Sequence, residues 1–179
     1  MLRFNDMTTQ SVNYGADVRR RVINVDAAYR DDLSGTTTNF QYKLTTPVRN
    51  VHGFKVTSVE FSNISMGSYA LLQVNDESSI EARTVSGGEI RAVAKILNRP
   101  RFSGDDKIVV GDTFGLVSNN VIFRNPQDIA RLQVKVVNPN GTVCADASGV
   151  SFTLELQETV NSYLYESQRK HIGFNPANM

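Results

Sequence analysis

Tryptophan is absent from this chain of 179 residues, which holds one cysteine, two histidines, five prolines and a net charge of only +1. Each shortage excludes something. Cys144 alone cannot close an internal bridge, so a disulfide scaffold is excluded and a reducing compartment is expected. With 19 basic against 18 acidic residues there is no global field to draw in nucleic acid or an anionic membrane. No apolar run approaches the roughly 18 residues of a membrane span. Met1–Asp6 opens without an apolar stretch, so no secretory signal is expected. The lack of tryptophan, with only six tyrosines, leaves few aromatic platforms for stacking a sugar.

What is present is β-branched. The chain has 21 Val, 9 Ile and 13 Thr against 11 Leu and 11 Ala. Side chains stiff at χ1 suit strands, and the better helix formers are scarce, so an all-helical fold is excluded. The length fits one domain with arms.

Period-two alternation places the strands. Val22–Val25 is the first candidate. Phe40, Tyr42 and Leu44 alternate with Gln41 and Lys43, and Pro47 and Asn50 are read as breaks. In Gly53–Phe61 the apolar preference changes face, from Phe54 and Val56 to Val59 and Phe61, which implies a bulge or cover on both sides. Tyr69–Val74, Lys107–Val110 and Val121–Phe123 are further candidates. Arg91–Leu97 fits helix or strand, with Ser86 and Glu89 as a capping box in the helical case. Leu132, Val134 and Val136, then Asn138-Pro139-Asn140-Gly141, then Val150, Phe152, Leu154 and Leu156 read as two antiparallel strands about a turn. About eight or nine short strands argue for a sandwich or jelly roll. The expected organisation is an N-terminal arm over 1–20, a β-sandwich domain over 21–158, and a C-terminal tail over 159–179 with one helical turn.

Residues able to carry chemistry are few. His52 and His171 sit in no motif and read as exposed loop histidines. Cys144 reads as a packed thiol. The acidic pairs Asp31-Asp32, Asp76-Glu77 and Asp105-Asp106 fall in turns without calcium-loop spacing. Gly87-Gly88 matches no phosphate-binding pattern. No catalytic, metal or cofactor-binding residue is assigned, no cofactor is implied, and no enzymatic activity is expected. The basic triplet Arg19-Arg20-Arg21 is the candidate interface. It is a solvated flank, a contact for acidic groups of a protein neighbour, or a phosphate site.

Several segments in order resemble a known family. They are Ile23-Asn24-Val25-Asp26 with Tyr29-Arg30-Asp31, Thr38-Asn39-Phe40, Val56 with Ser58-Val59-Glu60-Phe61, Tyr69–Asn75, Ala92–Ile96, Phe123 with Pro126, Leu132–Gly141, and Ser151–Leu156. Across about residues 22–158 the chain resembles minor capsid proteins of the large icosahedral DNA viruses of eukaryotes, the nucleocytoplasmic large DNA viruses of the chlorella-virus and mimivirus kind. The resemblance implies a cement protein that ties major-capsid capsomers together, within a virion capsid assembled in the host cytoplasm. The implied partners are the major capsid protein, other minor capsid proteins and a second copy of the chain, with the inner viral membrane nearby and no specific nucleic acid. It also reads Arg91–Leu97 as strand. The expected fold is all-β, a jelly-roll-like antiparallel sandwich with an extended N-terminal arm. Its expected core is Phe40, Tyr42, Leu44, Val56, Val59, Leu132, Val134, Val136, Phe152, Leu154 and Leu156. The alternative function is a virion-associated ligand- or carbohydrate-binding sandwich.

Overall fold

The computed structural model describes residues 16–31, 35–62, 68–84, 87–98, 107–111, 114–144 and 149–161. Residues 1–15 of the expected arm, 162–179 of the expected tail with His171, the capping-box Ser86 and the Asp105-Asp106 pair lie outside them.

Strands dominate, as the excess of Val, Ile and Thr requires. They are β1 (Ala16–Asp26), β2 (Asn39–Ser62), β3 (Tyr69–Val74), β4 (Ile80–Arg83), β5 (Glu89–Ala92), β6 (Ala94–Leu97), β7 (Lys107–Gly111), β8 (Leu116–Ser118), β9 (Val121–Val137) and β10 (Gly149–Asn161), with one 3-10 turn among the described residues, at Ala27–Tyr29. Arg91–Leu97 is strand, broken at Val93. Eight strands form one antiparallel sheet in the order β1-β10-β2-β9-β3-β6-β8, with β7 also on β2, while β4 and β5 make a separate hairpin. The sheet curls on itself as a half-barrel, giving the jelly-roll-like β-sandwich that the alternation predicts.

β2 joins the two halves of this curl. Its first half pairs with β9 and its second half with β10 and β7. Pro47 and Asn50 do not end it, contrary to their reading as breaks. Register shifts fall between Lys43 and Val48, Val48 and Val51, and Val51 and Gly53, so the strand bends through bulges without stopping. Pro47 is exposed at the first bulge, where its missing N–H costs the ladder little. Asn50 takes φ 53°, a left-handed conformation tolerated by Asn, and its N–H donates to Asp128 Oδ1 at 3.0 Å. The face change in Gly53–Phe61 is a bulge. Val56 pairs with Leu154 and Ser58 with Thr153, which leaves Thr57 as the extra residue. Phe54, Val56, Val59 and Phe61 are all buried in the core as a result.

The core matches the sequence reading at ten of the eleven expected positions. Phe40, Leu44, Val56, Val59, Leu132, Val134, Val136, Phe152, Leu154 and Leu156 are buried, and Tyr42 is half-buried against them. β3 is covered on both sides. Ala70, Leu72 and Val74 face the main core, while Leu71 packs with Ile90, Ala92 and Val137 beneath the β4–β5 hairpin. Thr38 is the buried polar side chain among the described residues. It is satisfied, because its hydroxyl donates to the Cys144 carbonyl at 2.8 Å.

The unit expected at the C-terminal end is arranged differently. The turn at Asn138–Gly141 exists, with Gly141 at φ 86° and its N–H on the Asn138 carbonyl at 2.9 Å. β9 and β10 are not paired through it. After the turn the chain makes one bridge, Val143 on Val137, and then crosses to the far side of β2. Both strands are antiparallel to β2, so they run parallel to each other. A local turn signal cannot show that a third strand lies between.

Candidate interaction site

β1 begins at Ala16, so the arm boundary expected after residue 20 is corrected. Arg19–Arg21 lie inside a strand and do not precede it. The reason is long-range pairing. All 11 residues of β1 pair with β10 in unbroken register, from Ala16 opposite Asn161 to Asp26 opposite Ser151. The expected tail boundary at 159 moves likewise, because β10 continues to Asn161.

Alternation sorts the side chains of β1 onto two faces. Val18, Arg20, Val22 and Asn24 lie on the outer face and are exposed; Val18 is 61% and Val22 65% accessible. Arg19, Arg21, Ile23 and Val25 lie on the inner face, with burial increasing toward Val25. Arg20 Nε is 3.3 Å from Glu155 Oε1 on the outer face. Arg21 Nη1 is 3.8 Å from Glu158 Oε1 on the inner face, and that oxygen is buried without a hydrogen bond. Arg19 has no ion pair among the described residues.

β1 is also a sheet edge, with β10 on one side and no strand among the described residues on the other. Tyr42 from the first half of β2 reaches across, its hydroxyl donating to the Asn24 carbonyl at 3.4 Å. Between them lies a cleft of about 250 Å³, lined by Arg21–Asn24 and Tyr42–Thr46 apart from Lys43. A second depression, about 340 Å³, lies over β1, β10 and β2 and is polar, with Asn24, Asp26, Ser58, Glu60, Ser151 and Thr153 on its walls. A cross-strand chain runs through it. Ser58 Oγ donates to Thr153 Oγ1, and Thr153 Oγ1 donates to Asn24 Oδ1, both at 2.9 Å.

The remaining chemical residues are dispersed. His52 is not in a loop; it lies within β2 at its bend and is half-buried. Cys144 is buried, its thiol donating to Asn138 Oδ1 at 3.3 Å, and loss of water pushes its pKa up to about 11. Asp76 turns the chain after β3 at φ 58°. Burial, and then the charge of Asp76, raises the pKa of Glu77. Gly88 and the φ 85° of Gly87 belong to the β4–β5 turn. Among the described residues no three His, Cys, Asp or Glu side chains converge to hold a metal ion. The edge position of the basic triplet is what sequence reading missed, since the signal for it lies in Glu155 and Glu158 at the other end of the chain.

No protein-family model and no curated protein matches the chain.

Proposed function

We propose that the protein is a minor capsid cement protein, a β-domain that links major-capsid capsomers and neighbouring minor capsid proteins in an icosahedral virion. One observation carries the reading. The ordered segments that resemble that family include Val56–Phe61, Tyr69–Val74, Leu132–Val137 and Ser151–Leu156, and these fall on β2, β3, β9 and β10, adjoining strands of one sheet. A rigid sheet keeps a fixed shape between capsomers, and an open edge such as β1 offers backbone groups to a neighbour. Cross-linking mass spectrometry on purified particles tests this. The expected outcome is cross-links from this chain to the major capsid protein; absence of the chain from purified particles overturns the proposal.

The polar depression beside Asn24 favours a second reading, a carbohydrate-binding module. Hydroxyl, amide and carboxylate groups there match sugar hydroxyls in hydrogen-bonding character. Binding on a glycan array that is lost in Asn24→Ala would support it.

A further inference from the structure

We propose that the free edge of β1 docks an extended acidic segment of a partner protein, which adds to the sheet as a further strand beside Val18–Ile23. The inference rests on the edge itself and holds whether or not the chain sits in a capsid.

A strand with a partner on one side only leaves about half of its N–H and C=O groups pointing outward. In β1 those groups lie along 11 residues in unbroken register, without the bulge or short length that usually blunts an edge. Arginine is the protection here, and it is selective. It repels another basic strand and attracts an acidic one. Each guanidinium has five donors. Arg19 has no ion pair among the described residues, Arg20 engages Glu155 through Nε, and Arg21 stands 3.8 Å from Glu158, beyond hydrogen-bond reach.

Charge decides the occupant. A second copy pairing antiparallel about Arg20 would set arginine against arginine at three successive positions, and like charges directly opposite destabilise a sheet. The chain's own ends do not supply the complement. Residues 1–15 contain one acidic residue, Asp6, and residues 162–179 contain one, Glu166, close to Arg169 and Lys170. A nucleic-acid backbone offers charge but no strand ladder. A segment with three consecutive carboxylates satisfies Arg19 and Arg21 on the inner face and Arg20 on the outer. Apolar residues beside it meet the exposed Val18 and Val22. The residue opposite Ile23 enters the 250 Å³ cleft against Tyr42 and Leu44. Antiparallel addition is the commoner pairing, and it gives the pattern apolar-apolar-acid-acid-acid-apolar.

The test uses the full chain and the labelled peptide Thr-Leu-Val-Glu-Glu-Glu-Val-Thr, with fluorescence anisotropy for binding and amide hydrogen exchange for the ladder. The expected result is binding that slows exchange at alternate amides of β1. Replacing the three Glu by Lys should weaken it by more than about tenfold, and Arg20→Ala in the protein by about tenfold, with Arg20→Lys intermediate. Unchanged exchange in β10 and β2 shows that the variant is folded. The proposal is overturned by binding without slowed exchange in β1, by equal binding of the Lys peptide, or by an oligonucleotide that competes fully. It is also overturned if the outward-pointing β1 amides, those not bonded to β10, are already protected in the free protein, since its own chain or a second copy then covers the edge.

Discussion

β2 and β1 are built by opposite rules. β2 runs 24 residues, paired with β9 along its first half and held between β10 and β7 toward its end, and it is irregular, bent by three register shifts against β9 and two against β10. β1 runs 11 residues with one partner strand among the described residues, and its register never slips. The comparison separates two uses of a strand. A strand that must bury residues in both halves of a curled sheet breaks its own regularity to do so, and the bulge at Thr57 is what keeps both Val56 and Val59 buried. A strand at the rim meets no such demand, so it stays regular and presents a ladder. Stability should therefore concentrate in β2 and its neighbours, and recognition in β1.

The largest test of that division is Leu154→Ala against Val22→Ala. Leu154 is 0% exposed, in β10 between the two strands, whereas Val22 is exposed on β1. Truncating the first should cost about 3–4 kcal/mol in urea denaturation and the second within about 0.5 kcal/mol. Equal losses would break the comparison. Next is Gly53→Ala in the bend of β2. A Cβ there would collide with the Val121 carbonyl oxygen, a main-chain atom that cannot swing away. The expected loss is about 2–3 kcal/mol, and a neutral result would show that the bend can shift.

The same contrast can be titrated. The buried Cys144 thiol has its pKa raised from 9.0 to about 11, so the unfolded chain gives up this proton before the folded one. A group that is harder to ionise when folded leaves stability intact below pH 9 and removes it as pH rises from 9 to 11. The loss should reach about 2 kcal/mol by pH 11. Cys144→Ala should lack that component, visible as a shallower fall in urea midpoint over this interval. Parallel pH profiles for the two proteins would mean that the thiol already meets solvent.

Local period made the interior readable. Phe40 to Leu44, Leu132 to Val136 and Phe152 to Leu156 each declare one buried face by alternation alone, and the face change near Thr57 announced an irregularity that proved to be a bulge. Pairing was not readable. β10 was expected beside β9 because a Pro-Asn-Gly turn connects neighbours locally, but β2 takes the place between them. Ile80–Arg83 and Leu116–Ser118 are too short to establish a period. The site was legible as three arginines and not as an edge. A polar stretch reads as an arm until Glu155 and Glu158, far away in the chain, are known to lie across from it.

The smallest effect tests the edge from within. Arg20–Glu155 and Arg21–Glu158 link the same two strands from opposite faces. On the outer face the Arg20 side chain is 73% exposed, and water screens the pair, so Arg20→Ala should change stability by less than about 0.5 kcal/mol. On the inner face Glu158 is 14% exposed and has a carboxylate oxygen without a hydrogen bond. Removing Arg21 takes away the ion pair of that charge and leaves Arg19, opposite Glu158 in the register but in no ion pair with it, as the neighbouring cation, so Arg21→Ala should cost about 1 kcal/mol. Adding Glu158→Gln, which removes the stranded charge, should recover most of the loss, and a double-mutant cycle in urea isolates the coupling. If both arginines prove equally dispensable, the two faces of β1 are equally wet and the triplet serves recognition alone. If Arg21 costs more and Glu158→Gln restores it, the inner arginine holds β1 to β10, while Arg19 and Arg20 remain for whatever pairs with the open side.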